Sequence, residues 1–251
     1  MLHHPTLDKL QQLKLTGMRQ ALQEQAAIPE IAAIPFEERL GLLVDRELTE
    51  RGNRRLHVRL RAAKLKQNTA LEDIDFKSPR GLDRSLILKL ADCEWVAAHL
   101  NVLITGPTGV GKTWLACALA QKACREGYSA LYARIPRLLQ ELDTGRADGR
   151  YAKVMRHLGK TEVLVLDDWG LATLTDQHRR DLLEILDDRY NLRTTLITSQ
   201  LPVTHWHEAI GDPTLADAIL DRVVHNAYKI NLTGNSMRKP REKLTTENPA
   251  T

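Results

Sequence analysis

Two hydrophobic periodicities divide the chain. Up to about residue 75 the apolar positions recur at helical spacing: Leu7, Leu10, Leu13 and Met18 in one segment, then Phe36, Leu40, Leu43 and Val44 in a second. Pro35 suits the opening turn of that second helix, and Glu37 and Glu38 favour its positive end. The helical pattern runs on into RGNRRLHVRLRAAKLK, Arg51 to Lys66, where Leu56, Leu60 and Ala63 supply an apolar stripe. After ALEDIDF, Ala70 to Phe76, short apolar runs alternate with long amphipathic stretches. Five of these runs read as strands: NVLIT from Asn101, SALYA from Ser129, VLVLD from Val163, TTLIT from Thr194 and AYKINL from Ala227. Between them lie helical patterns, one opened by Asp176 as a cap and carried by Leu182, Leu183, Leu186 and Tyr190. Strand and helix in alternation predict an α/β fold, a parallel sheet covered on both faces, behind a small all-helical N-terminal domain. The expected boundaries are 1–72 for the helical domain, 73–240 for the α/β domain and 241–251 for a flexible tail.

Composition narrows the class. The chain has 251 residues, 43% hydrophobic and 27% charged, which is the balance of a globular protein rather than a disordered one. No uncharged apolar run reaches the ~18 residues that a membrane span needs. The opening MLHHPTLDK lacks the charged-then-apolar order of a secretory signal. Cys93, Cys117 and Cys124 are too few and too scattered for a disulfide framework or a zinc site, and Cys117 and Cys124 read as core packing. These features point to a reducing compartment, the cytosol.

The net charge of +4 is unevenly placed. Arg51, Arg54, Arg55, Arg59, Arg61, Lys64 and Lys66 follow one another with no intervening acid. Such a face is an electrostatic footprint for a polyanion such as double-stranded DNA, or else a solvated helix surface.

The chemistry is concentrated at strand ends. GPTGVGKT, comprising Gly106, Pro107, Thr108, Gly109, Val110, Gly111, Lys112 and Thr113, matches G-x-x-x-x-G-K-[ST] in full between a predicted strand and a predicted helix. Its glycines let backbone N–H groups converge on phosphate oxygens, and the helix adds its positive end. Lys112 suits the β- and γ-phosphates of ATP, and the Thr113 hydroxyl suits magnesium. The strand VLVLDDWG ends in two adjacent carboxylates, which are costly side by side unless a cation offsets them. A nucleotide-bound Mg2+ is that cation: Asp167 is placed as its second protein ligand, and Asp168 to polarise an attacking water. A turn or helix cap is the plainer reading of either aspartate. TSQLP, Thr198 to Pro202, offers a third polar group, Gln200 first and Ser199 second, unless it is only a turn before proline.

Together with LADAILDRVVHNA (Leu215 to Ala227), LKLTGMRQAL (Leu13 to Leu22) and the RGLD stretch from Arg80, these motifs resemble the IstB family over roughly residues 5 to 240. These are ATP-binding helpers of bacterial insertion sequences, related to the DnaC helicase loader within the AAA+ superfamily. GNSMR, Gly234 to Arg238, resembles a family G-E-S-x-R pattern with Asn235 in place of the acid. The resemblance implies an AAA+ ATPase domain that self-assembles with ATP at subunit boundaries, binds DNA and serves a transposase. It implies that Arg222 is an arginine finger for a neighbouring subunit's ATP, although a surface salt bridge to Asp221 or Asp217 is the simpler role. It implies that Phe76 to Leu82 lines the adenine pocket and that Arg238 is a second phosphate sensor. A DnaC-like helicase loader is the runner-up. A small-molecule kinase would need a lid, for which TGRADGR (Thr144 to Arg150) is the one candidate, and a scaffold that binds ATP without turnover stays open because Asp168 stands where AAA+ proteins usually carry glutamate.

Overall fold

The computed structural model describes residues 5–237. Arg238 and the expected tail lie outside the described residues. The described residues form two compact units divided between Arg61 and Ala62, in the last turn of a helix rather than near residue 72.

The first unit is helical, with α1 (Pro5–Gln12), α2 (Thr16–Ala26) and α3 (Phe36–Ala63). The predicted Leu7–Met18 stripe is therefore two helices. The break is at Lys14, whose φ of 58° ends α1, and Lys14 N–H donates to Gln11 O at 2.9 Å across the turn. α2 opens without a cap of its own; Leu15 has no suitable side chain. α3 supplies one from outside. Glu47 Oε2 accepts the backbone N–H of Gly17 at 2.7 Å and of Met18 at 3.1 Å. A carboxylate at that end also complements the helix dipole. The two helices meet at Gly17, where a Cβ would lie 2.8 Å from both Arg46 O and Glu47 Cα. Of the α3 stripe, Leu43 is buried while Phe36, Leu40 and Val44 are exposed.

The second unit carries a five-stranded parallel sheet in the order β2-β3-β4-β1-β5. The strands are β1 (Asn101–Thr105), β2 (Ala130–Arg134), β3 (Val163–Trp169), β4 (Thr194–Ser199) and β5 (Ala227–Asn231), matching the five apolar runs. Helices α4 (Arg84–Ala91) and α5 (Glu94–Ala97) precede β1, and α6 (Lys112–Arg125) follows it. α7 (Ile135–Ala147) and α8 (Tyr151–Lys160) join β2 to β3, α9 (Asp176–Arg189) joins β3 to β4, and α10 (Trp206–Ile210) and α11 (Pro213–Val224) join β4 to β5. Thr175, not Asp176, caps α9: its Oγ1 accepts the His178 N–H at 3.2 Å, and Asp176 takes the first helical position. All three cysteines are buried thiols. No described helix is long and apolar enough to cross a membrane.

Below the sheet Arg189 is fully buried, and among the described residues no carboxylate pairs with it. Its guanidinium donates to the carbonyls of Leu158, Thr161, Glu162 and Thr194 and to Thr195 Oγ1, tying the end of α8 to the starts of β3 and β4. Burial pushes it down to about 9, so it stays charged at neutral pH. Above the sheet, the carboxyl ends of β1, β3 and β4 lie side by side, the edge where open α/β sheets take ligands.

Candidate functional site

The loop between β1 and α6 takes its shape from glycine. Gly106, Gly109 and Gly111 have φ of 140°, 91° and 97°. At Gly106 a side chain would collide with the Leu232 carbonyl, and at Gly109 with Ser236. The segment after β5 thus lies against the loop, held by Met237 N–H to Gly109 O at 3.0 Å. Arg80 backs the same loop from inside, donating to Val110 O at 3.3 Å and Asp75 O at 3.2 Å. Lys112, the first residue of α6, is buried, and its Nζ donates to Gly106 O at 2.7 Å and Pro107 O at 2.8 Å.

Beside the loop a cavity of about 640 Å³ is lined by Lys112, Thr113, Asp168 and Gln200, and by Lys66 and Arg134. Its size suits a nucleotide. Of the predicted adenine segment, Arg80 reaches the wall, whereas Phe76 is exposed and stacks under Arg84. Residues 66–69, with Asp73 and Asp75, form that side instead.

The two aspartates part company through a bulge. The β3–β4 register runs Leu166 opposite Ile197, then Trp169 opposite Ser199, so Asp167 and Asp168 together face Thr198 alone. Asp168 absorbs the extra residue at φ 64°, a conformation that aspartate tolerates better than most side chains. Asp167 points inward and is 1% exposed. Its Oδ1 accepts from Thr113 Oγ1 at 2.9 Å and from Thr198 Oγ1, and its Oδ2 from Tyr132 at 2.5 Å. Burial alone would raise this carboxyl; the three hydroxyls and the Lys66 charge outweigh burial and hold it below 3.8. Burial and the Asp167 charge push the Tyr132 phenol up, which keeps it a donor. Asp168 pairs with Arg134 on the cavity side. Trp169 packs into the core against Trp206, ring centroids 5.3 Å apart.

Gln200 Oε1 accepts from Thr108 Oγ1 at 2.7 Å, linking the end of β4 to the phosphate loop. Ser199, the second choice, turns away: its Oγ donates to Trp169 O at 2.8 Å. Lys112, Thr113, Asp167, Asp168 and Gln200 are therefore brought together. Arg222 is not among them within one chain. It lies on α11, donating to Asp187 Oδ1 at 2.8 Å and Asp221 Oδ2 at 2.6 Å, with its guanidinium 4.9 Å from the Tyr190 ring centroid. Asp217 lies beside His207 instead. The candidate lid is the end of α7, where Arg146 pairs with buried Asp181 and stacks on Tyr151.

The basic run is split. α3 ends at Ala63 and Lys64 turns the chain at φ 50°. Lys66 is therefore off the helix, with its ammonium 3.7 Å from Asp167. On α3 itself, Arg51 holds Glu47 at 2.7 Å and Arg54 donates to Thr16 Oγ1 at 2.6 Å. Tyr132 and Arg134 carried no motif that marks them as site residues, Thr198 only opened the TSQLP turn, and Lys66 read as part of the basic DNA face. Their roles follow from strand order and from the bulge.

Fold and loop together define a P-loop nucleotide-binding domain of the AAA+ type. More narrowly, a family profile described as IstB-like ATP binding protein matches residues 8–245, and the chain belongs to that family. It is 56% identical over 239 residues to the insertion sequence ATP-binding protein y4pL of Sinorhizobium fredii, covering 95% of this chain and 98% of that one. It is 33% identical to the IS21 ATP-binding protein of Pseudomonas aeruginosa, covering 92% and 86%. Among solved structures it resembles DnaI, with a TM-score of 0.58 and 26% identity over 66% of this chain and 92% of that one. The DnaC helicase loader shares the fold, with a TM-score of 0.54 at 22% identity over 68% and 99%.

Proposed function

We propose that this protein is an ATP-dependent, DNA-binding transposition helper that self-assembles on double-stranded DNA with ATP at subunit interfaces and directs a transposase. The observation that carries the nucleotide half is the meeting of Lys112, Thr113, Asp167, Asp168 and Gln200 at one end of the sheet. The donor set fits Mg·ATP: a loop built on three positive-φ glycines, a buried ammonium at its end, and a hydroxyl beside an ionised carboxylate.

Each residue then has a task. The loop amides and Lys112 bind and orient the phosphates. Thr113 and Asp167 would hold magnesium, which when bound neutralises phosphate charge. Asp168 accepts the proton of the attacking water and Gln200 orients that water. To do so Asp168 must part from Arg134. Arg222 completes the site of a neighbouring subunit, for which it must leave Asp187 and Asp221.

Insertion-sequence relatives support the transposase partner, and α3 supports DNA. At 100° per residue, Arg51, Arg54, Arg55, Arg59 and Arg61 fall within an arc of about 160°. The second reading, a replicative helicase loader, rests on the fold shared with the DnaC helicase loader. The test is fluorescence anisotropy of labelled duplex DNA. Binding is expected to tighten and become cooperative with ATP, and Lys112→Ala to lose that dependence. DNA affinity indifferent to nucleotide would contradict the proposal.

A further inference from the structure

Lys66 has a place that its charge alone did not suggest. Its ammonium lies 3.7 Å from Oδ2 of Asp167, and the two ends of this pair differ: the aspartate side chain is 1% exposed, the lysine 47%. Three hydroxyls surround the carboxylate and spread its charge without cancelling it. A carboxylate enclosed this far needs a cation nearby. Lys66 supplies one from a fixed backbone. Three residues on, Thr69 Oγ1 donates to Trp114 O on α6 at 3.4 Å and anchors the segment that carries Lys66. Only the four-carbon stem is left to move.

If the cavity takes Mg·ATP, as proposed above, the same carboxylate must serve a divalent ion beside Thr113. Two cations brought to one buried carboxylate repel each other strongly where the dielectric is low. We propose that Lys66 is a tethered stand-in for magnesium, which neutralises Asp167 in the nucleotide-free chain and swings into solvent when Mg·ATP binds. The chain thus carries its own competitor for the metal. That competitor keeps the hydroxyl cage around Asp167 assembled before loading, and it raises the magnesium concentration at which loading occurs.

The test titrates magnesium against full-length protein in the presence of a fluorescent ATP analogue. Lys66→Met is expected to lower the magnesium midpoint about two- to fivefold, the scale of a half-exposed ion pair, and Lys66→Arg to stay within about twofold of wild type. In parallel, acetic anhydride labelling of the wild type is read by mass spectrometry. Lys66 is expected to react faster with Mg·ATP than with ATP and EDTA. An unchanged or raised midpoint in Lys66→Met, or labelling that slows or stays level with Mg·ATP, overturns the proposal. Failure of the wild type to bind the analogue at any magnesium concentration would overturn the nucleotide reading along with it; binding with the wrong order of midpoints overturns this inference alone.

Discussion

Asp167 and Asp168 are chain neighbours with opposite surroundings, and the tasks proposed for them diverge accordingly. Asp167 sits in a hydroxyl cage suited to holding a cation, whereas Asp168, turned out by the bulge, borders the cavity. Asp168→Asn preserves shape and removes the basic oxygen. It is expected to bind an ATP analogue as wild type does while hydrolysis falls at least about 10²-fold. Wild-type turnover would pass the role to a water held by Gln200. Lys112→Ala, in contrast, is expected to lose detectable binding, since the loop lends the phosphates no other cationic side chain. Isothermal titration separates the two variants. Beneath the sheet, Arg189→Met leaves several carbonyls without a donor in a closed interior. It is expected to cost about 3 kcal/mol or more in urea unfolding, because unsatisfied buried groups are penalised individually.

Among the elements, the contact of α2 with α3 depends on Glu47. Burial alone would raise this carboxyl; the Arg51 hydrogen bond, the Met18 and Gly17 amides and the Arg51 charge outweigh it and hold Glu47 below 4.5. A depressed carboxylate pKa adds stability that is present above the unfolded value and lost as pH falls through the folded one. Glu47→Gln is thus expected to destabilise the helical unit by about 1–2 kcal/mol at pH 7, with the difference shrinking as pH falls below 4.5. Circular dichroism melts at pH 7 and pH 3.5 check both parts; a difference that grows in acid would contradict the cap. The arginine face of α3 makes its own prediction. If the proposed DNA face is right, reversing Arg55 and Arg61 to Glu should weaken DNA binding on every sequence tested and reduce the salt slope by about two, because arginines on a helix face of this kind would read phosphates rather than bases. Unchanged affinity at two salt concentrations would move the DNA surface elsewhere.

Element boundaries also show where sequence reading ran out. The strands, the phosphate loop and Asp167 were legible because apolar runs and glycine spacing are local signals. Two helix ends were not, because α1 and α3 stop at or beside Lys14 and Lys64, lysines in a left-handed conformation that more often marks a glycine. Without a Gly or Pro to read, the basic run continued on paper into Lys66. The bulge was equally hidden: VLVLDDWG announces a strand, but the extra residue exists only relative to β4. Arg134 became a partner of Asp168 once strand order set β2 beside β3.

At the scale of the whole molecule, the proposal is that no single chain completes its own catalytic site. Within one chain Arg222 is held by Asp187, Asp221 and Tyr190, and its charged form is favoured first by the Asp187 hydrogen bond. Arginine fingers acting on a neighbour's nucleotide can contribute about 10³–10⁵ in rate. Arg222→Ala is expected to bind ATP about as well as wild type, yet neither assemble on DNA nor hydrolyse. The most direct measurement mixes Arg222→Ala with Lys112→Ala, each inactive alone, and follows phosphate release on duplex DNA. Mixed assemblies should contain interfaces with one intact loop facing one intact finger, so activity is expected to recover in part as the two are combined. A co-assembled mixture as inactive as its components, or full activity from Arg222→Ala alone, would contradict a site shared between subunits.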